Sequence, residues 1–144
     1  MRIKAYQIEE PLPRLIDTQV VAMIEPWINA GSVGSMAISW LEKEAGARPL
    51  GELARPAGFY DLTRYRPITY FQGDKNLLRF PNTRVSFARQ NDGTDFVFIR
   101  ILEPHMHSDY FIDSTLELLA KLNVSRYLLI GSMYNFVPHT RPPM

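Results

Sequence analysis

Thr18-Gln19-Val20-Val21-Ala22-Met23-Ile24 is a short, almost unbroken apolar run, and its reading decides the fold. A run this long with no polar alternation fits a strand buried on both faces of a sheet, the pattern of parallel sheets covered by helices. Glu25 to Gly34 follows as a loop. Val33, Ala37, Trp40 and Leu41 then recur at helical spacing, and Gly46 supplies a C-terminal stop. The unit is strand, loop, helix, with those four side chains expected to face inward.

The same logic returns later in the chain. Phe96 to Ile101 is a second apolar strand, and Glu103-Pro104-His105-Met106-His107 is its exit loop. Ser108 is a suitable N-cap for a helix that places Ile112, Thr115, Leu116 and Leu119 inward, and Asn123 is suited to end it. Tyr127-Leu128-Leu129-Ile130 reads as a third buried strand. Between the two units, Pro49, Pro56, Pro67 and Pro81 forbid long helices and separate short runs such as Ile68 to Phe71 and Arg84 to Phe87. Asn91-Asp92-Gly93 marks a turn, so Val85 to Ala88 and Phe96 to Ile101 form an antiparallel hairpin and the sheet is mixed. Right-handed crossovers put helices on the sheet faces. The expected fold class is α/β, a three-layer α/β/α sandwich with a mixed sheet. One domain spans 1–144: a strand-helix unit at 18–46, a β-rich insert at 50–102 and a helix-strand-loop unit at 108–144.

Composition narrows the function classes. With no cysteine in 144 residues, disulfides, thiolate metal sites and cysteine nucleophiles are excluded, and the chain suits a reducing, cytoplasmic setting. The 16 basic and 15 acidic side chains are interspersed, which gives no field toward nucleic acid. No apolar run approaches the roughly 20 residues that span a bilayer, so no membrane partner is expected. Arginine far outnumbers lysine, a bias that favours bidentate ion pairs at folded surfaces and interfaces.

The unusual residues fall at the three strand exits. Ala30-Gly31-Ser32-Val33-Gly34-Ser35 opens a helix after a strand, the setting in which free amides attract anions, although it lacks a Walker lysine or a full G-x-G-x-x-G. Glycines there also serve close helix-to-sheet packing. His105 and His107 could contribute to a metal site only with further ligands, so no metal and no cofactor is assigned. His139 and Arg141, between prolines, suit a stiff turn as well as a general base. Trp27 and Tyr134 sit in exit loops where aromatic side chains serve interfaces. The expected binding surface is therefore Trp27, Gly31, Ser32, Gly34, Ser35, His105, His107, Tyr134, His139 and Arg141, with no catalytic residue assigned.

Gly31-Ser32-Val33-Gly34 after the first strand, and Val137-Pro138-His139-Thr140-Arg141-Pro142 after the third, together resemble the proteasome assembly chaperone 2 family. The resemblance implies a fold similar to phosphorylase/hydrolase-like α/β proteins and a bacterial or archaeal member of uncharacterised role. It implies a non-catalytic, assembly-chaperone-like protein, homo-oligomeric and with a protein partner. The alternative is a small-molecule or nucleotide-binding enzyme of phosphorylase-like or ATP-grasp-like type, with an anion site at Gly31–Ser35. In family members the proline segment leads back into further strands and helices, so the chain is expected to be the N-terminal part of a domain truncated after Met144. The hydrophobic-Tyr-any residue tail by which some members dock on proteasome subunits is not present in Pro142-Pro143-Met144.

Overall fold

The decisive apolar run forms β3 (Thr18–Glu25) in the computed structural model, which describes residues 1–91, 93–135 and 140. Val20, Ala22 and Met23 are fully buried, and Val21 nearly so. Before it come two short strands, β1 (Arg2–Ile3) and β2 (Tyr6–Ile8). After it come α1 (Val33–Glu44), β4 (Arg48–Leu53), β5 (Ile68–Gln72), β6 (Lys75–Arg79), β7 (Arg84–Ala88), β8 (Phe96–Leu102), α2 (Ser108–Lys121) and β9 (Val124–Leu129). The main sheet runs β1-β2-β4-β7-β8-β3-β9, while among the described residues β5 and β6 pair only with each other.

The sheet is mixed. β3 lies parallel to both β8 and β9, with Val21 opposite Phe98 on one side and Leu128 on the other. β7 is antiparallel to β8, β4 to β7, β2 to β4 and β1 to β2. The side-chain alternation of β3 divides the core. Val21 and Met23 pack with Ile38 of α1 and Phe98, whereas Val20 and Ala22 join the larger cluster with Phe111 and Leu118 of α2, Tyr6, Tyr60 and Ile99. Each such aliphatic side chain contributes about 1.5–3 kcal/mol when fully buried.

Polar contacts fix the helices on this sheet. The Arg100 guanidinium of β8 donates through Nε and NH2 to Glu42 Oε2 of α1 at 2.9 and 2.6 Å, and Ser86 Oγ donates to Glu42 Oε1 at 2.7 Å. Below α2, Thr18 Oγ1 donates to the Leu122 carbonyl at 2.9 Å. The Asp95 carboxylate is buried and accepts from the Ile16 and Gln90 amides at 2.8 and 3.2 Å, which pins the chain entering β3 against the turn before β8.

Four expectations change. The inward face of α2 is Phe111, Ser114 and Leu118, while Ile112 and Leu116 are exposed by 53% and 58%. In α1 the buried residues are Gly34 and Ile38, and Val33 and Trp40 point outward. Both helices carry apolar residues around more than one face, so spacing alone does not choose the docked one. The third strand is an edge, not a buried strand: among the described residues β9 pairs only with β3, and Tyr127, Leu128 and Leu129 are all more than 40% exposed. The helix stops are as expected, Gly46 and Asn123 taking positive φ of 64° and 51°. Ser108 is the first helical residue; the cap position belongs to His107, at φ 53°.

Two buried phenols bind the core across long sequence distances. Tyr6 Oη hydrogen-bonds Thr115 Oγ1 at 2.9 Å, and Tyr60 Oη hydrogen-bonds Thr83 Oγ1 at 2.6 Å. Burial pushes the Tyr6 hydroxyl up to about 12 and raises Tyr60 further. The folded state thus favours the neutral phenols, so their contribution is intact below the unfolded value near 10; that of Tyr6 is lost as pH rises from there through 12, and that of Tyr60 is lost over a range that extends higher. Alkaline titration followed by circular dichroism is expected to show constant stability from pH 8 to about 10. A loss on the order of 2 kcal/mol from Tyr6 is expected by pH 12. Tyr6→Phe reduces that dependence.

Candidate functional site

Because β3, β8 and β9 are parallel, their C-terminal ends open onto one edge of the sheet, the edge at which open α/β sheets commonly present ligands. Hydrogen bonds stitch the three exit loops together. The Glu103 amide donates to the Glu25 carbonyl at 2.8 Å, the Ala30 amide to the Ser132 carbonyl at 3.0 Å, and the Ser132 amide to the Ile28 carbonyl at 2.7 Å. Ser132 Oγ adds a bond to the Ala30 carbonyl at 2.9 Å. Asn29 and Ser132 form an isolated parallel bridge that carries the β3–β9 pairing past the strand ends.

Three positive-φ residues, Ile28 at 49°, Gly31 at 59° and Ser32 at 60°, turn the chain from β3 into α1. Gly31 accepts this backbone without cost, while a β-branched residue such as Ile28 is strained in it and is held by its neighbours. Asn29 is the organising side chain. Its Oδ1 accepts from the Ser35 amide at 3.1 Å and its Nδ2 donates to Ser35 Oγ at 3.2 Å, while Ser35 Oγ donates to the Ser32 carbonyl at 2.9 Å. The Asn29 carboxamide oxygen thus occupies a place that an anion at the start of α1 would take. The Ser32 and Val33 amides are likewise bonded within the turn, to the Asn29 and Ala30 carbonyls.

Gly131 makes the junction possible. A Cβ there would lie 2.8 Å from the Ile28 carbonyl oxygen and 2.9 Å from Ile28 Cδ1. Gly131→Ala is expected to cost about 1–2 kcal/mol, because backbone must move to admit the methyl group. Proton exchange at the Ser132 amide checks the local effect: it should quicken by more than the global loss of stability explains.

His105 serves the second exit. Its Nδ1 accepts from the Asp61 amide at 3.1 Å, which leaves the proton on Nε2, and its own amide donates to the Phe59 carbonyl at 2.8 Å. The Tyr65 ring packs 4.5 Å from the imidazole and Tyr65 Oη reaches the Glu103 carbonyl at 3.3 Å. The Asp61 carboxyl is held below its ordinary value, first by the Thr63 hydroxyl and amide, then by Arg64 and His105. His105 thereby ties residues 59–65 to the loop before α2. His107 is exposed. Among the described residues, no three His, Asp or Glu side chains converge as metal ligands.

The edge is rich in exposed apolar groups: Trp27 at 66%, Met133 at 82% and Tyr134 at 85%. Beside Trp27 lies an open groove of about 550 Å³, walled by Pro104, Phe111, Ile112, Leu116 and Tyr127. Such an arrangement offers area for binding, with few polar groups to orient a reacting atom. Of the residues expected from sequence, Trp27, Gly31, Ser32, Gly34, Ser35, His105, His107 and Tyr134 lie in the three exit segments or at the start of α1. His139 and Arg141 lie outside the described residues. Sequence reasoning missed Asn29 and Gly131; an Asn a few residues ahead of a helix and a Gly just past an apolar strand were the available signals.

No curated protein is similar enough to this chain to count as a match. Solved structures are. A PAC2 family protein from Streptomyces avermitilis superposes with a TM-score of 0.80 at 29% identity, over 88% of this chain and 54% of that one. A proteasome-assembly chaperone homologue from Mycobacterium tuberculosis gives 0.78 at 31% identity, over 86% of this chain and 53% of that one. An archaeal proteasome activator from Pyrococcus furiosus, at 15% identity and a TM-score of 0.63, shares the fold, over 86% of this chain and 49% of that one. The chain spans about half the length of these relatives. The PAC2 family model matches residues 23–144, from the middle of β3 onward, and on that match the chain belongs to the PAC2 family.

Proposed function

We propose that this chain is part of a non-catalytic, assembly-chaperone-like protein that works in the cytoplasm as a homo-oligomer and holds a protein partner on the edge where β3, β8 and β9 end. The observation that carries this reading is the stitched edge itself: a rigid backbone junction at Asn29, Gly131 and Ser132 presenting Trp27, Met133 and Tyr134 to solvent. Large aromatic and methionine side chains on a rigid frame are the usual anchors of protein interfaces. Membership of the PAC2 family, and the description of the M. tuberculosis relative as a proteasome-assembly chaperone homologue, favour a protein partner over a small substrate. Asn29, seated on the Ser35 amide, counts against the anion site of the enzyme alternative. In this reading the complete domain is a three-layer, phosphorylase-like α/β/α sandwich.

Size-exclusion light scattering and affinity capture with the intact protein test the proposal. Trp27→Ala combined with Tyr134→Ala is expected to release the partner without lowering thermal stability. A strictly monomeric protein that retains no partner refutes the reading.

A further inference from the structure

The β5–β6 hairpin is unsupported where it stands. Among the described residues its strands hydrogen-bond only to each other, and no hydrogen bond or salt bridge joins residues 66–80 to the rest of the molecule. An isolated two-stranded ribbon is marginal in water, yet this one exposes Ile68 by 56% and Tyr70 by 42% on one face, and Phe71 by 78% and Leu78 by 55% on the other. Register gives its two faces different chemistry. Ile68 pairs with Arg79, Tyr70 with Leu77 and Gln72 with Lys75, so one face is both apolar and basic. The Arg79 guanidinium lies over the Tyr70 ring at 5.8 Å. The opposite face, with Thr69, Phe71, Asn76 and Leu78, is uncharged.

The outer surface of α2 is its complement. Asp109, Asp113 and Glu117 form an acidic ridge at i, i+4 and i+8, a like-charge spacing that is unfavourable unless something neutralises it. Glu117 has Lys4 at 3.4 Å, but among the described residues Asp109 and Asp113 have no basic partner. Exposed Ile112 and Leu116 run alongside the ridge. The dimensions agree: eight helical residues rise roughly 12 Å, and Lys75 and Arg79, four strand residues apart, are separated by roughly 13 Å.

We infer that the hairpin of one copy docks along α2 of a second copy, setting Lys75 and Arg79 against the Asp109–Glu117 ridge and Ile68 and Tyr70 of the same face on Ile112 and Leu116. This deepens the homo-oligomeric reading and rests on it. One surface meets a different one, so the contact closes into a two-fold pair when made reciprocally, and otherwise generates a ring or an open chain of copies.

Sedimentation of the intact protein at low and moderate salt is the test. Wild type is expected to self-associate. K75E/R79E and D109K/D113K should each weaken association at least tenfold while leaving far-UV circular dichroism unchanged, and the four substitutions together should restore it. Arg79→Glu alone, outside the core, provides a variant whose folding is not at issue. If the protein associates but ignores both charge reversals, or the combined variant does not recover, the docking is wrong while the oligomeric reading survives. A monomeric wild type overturns both.

Discussion

Gly51→Ala is expected to lower stability by about 3 kcal/mol, at the upper end for an inserted methyl group. Gly51 of β4 pairs with Ile8 of β2, and a Cβ there would run into the Gln7 carbonyl oxygen, with Ile8 Cδ1 at 2.6 Å and Ile8 Cα at 3.1 Å. Two of these obstacles are backbone, so no rotamer change relieves them. The register of β4 already shifts between Pro49 and Gly51 where it meets β7, which leaves little freedom for further displacement. Thermal unfolding of the alanine variant measures the loss. A change below about 0.5 kcal/mol would mean that β2 and β4 do not approach as described.

Leu118→Ala is expected to cost about 3–4 kcal/mol by combining lost transfer energy with a cavity. Leu118 is completely buried in the cluster with Val20, Ala22, Phe111 and Leu122, and the sheet beneath it cannot collapse into the space. Leu118→Met, which nearly conserves volume, should cost less than about 1.5 kcal/mol. Chemical denaturation of the pair separates packing from a general intolerance of substitution. Because α2 carries the wall of the groove beside Trp27, the alanine variant should also weaken whatever association that surface supports.

What the sequence made legible follows from how local each signal is. The run at Thr18–Ile24 was decisive because only a strand covered on both faces tolerates so many consecutive apolar residues, and β3 has that environment. The turn around Asn91 and Gly93 located the β7–β8 pairing, and Gly46 and Asn123 fixed the helix ends through their own backbone preferences. Helix orientation was not local. In α2 one stripe contains Phe111, Leu118 and Leu122 and another contains Ile112, Leu116 and Leu119; both satisfy helical spacing, and the choice depends on a sheet assembled elsewhere. Tyr127 to Leu129 has a buried strand's composition and an edge position. At the candidate site, Trp27 and Tyr134 were legible only as aromatics placed after strands, where packing and an interface role compete, and their exposure of 66% and 85% depends on the surrounding fold. The role of Asn29 was not, since it depends on a side chain reaching across a turn to Ser35.

The position of β3 also sets an order of events during synthesis. Its partners, β8 and β9, lie far downstream, and among the described residues no earlier strand pairs with it. At roughly 5–20 residues per second a ribosome needs several seconds to travel from Glu25 to Leu102. Throughout that interval this largely apolar strand has left the ribosome or is leaving it with both edges bare. A strand held between two parallel neighbours in the finished fold is therefore, for those seconds, an apolar segment with two unpaired edges, the state in which strands adhere to other chains.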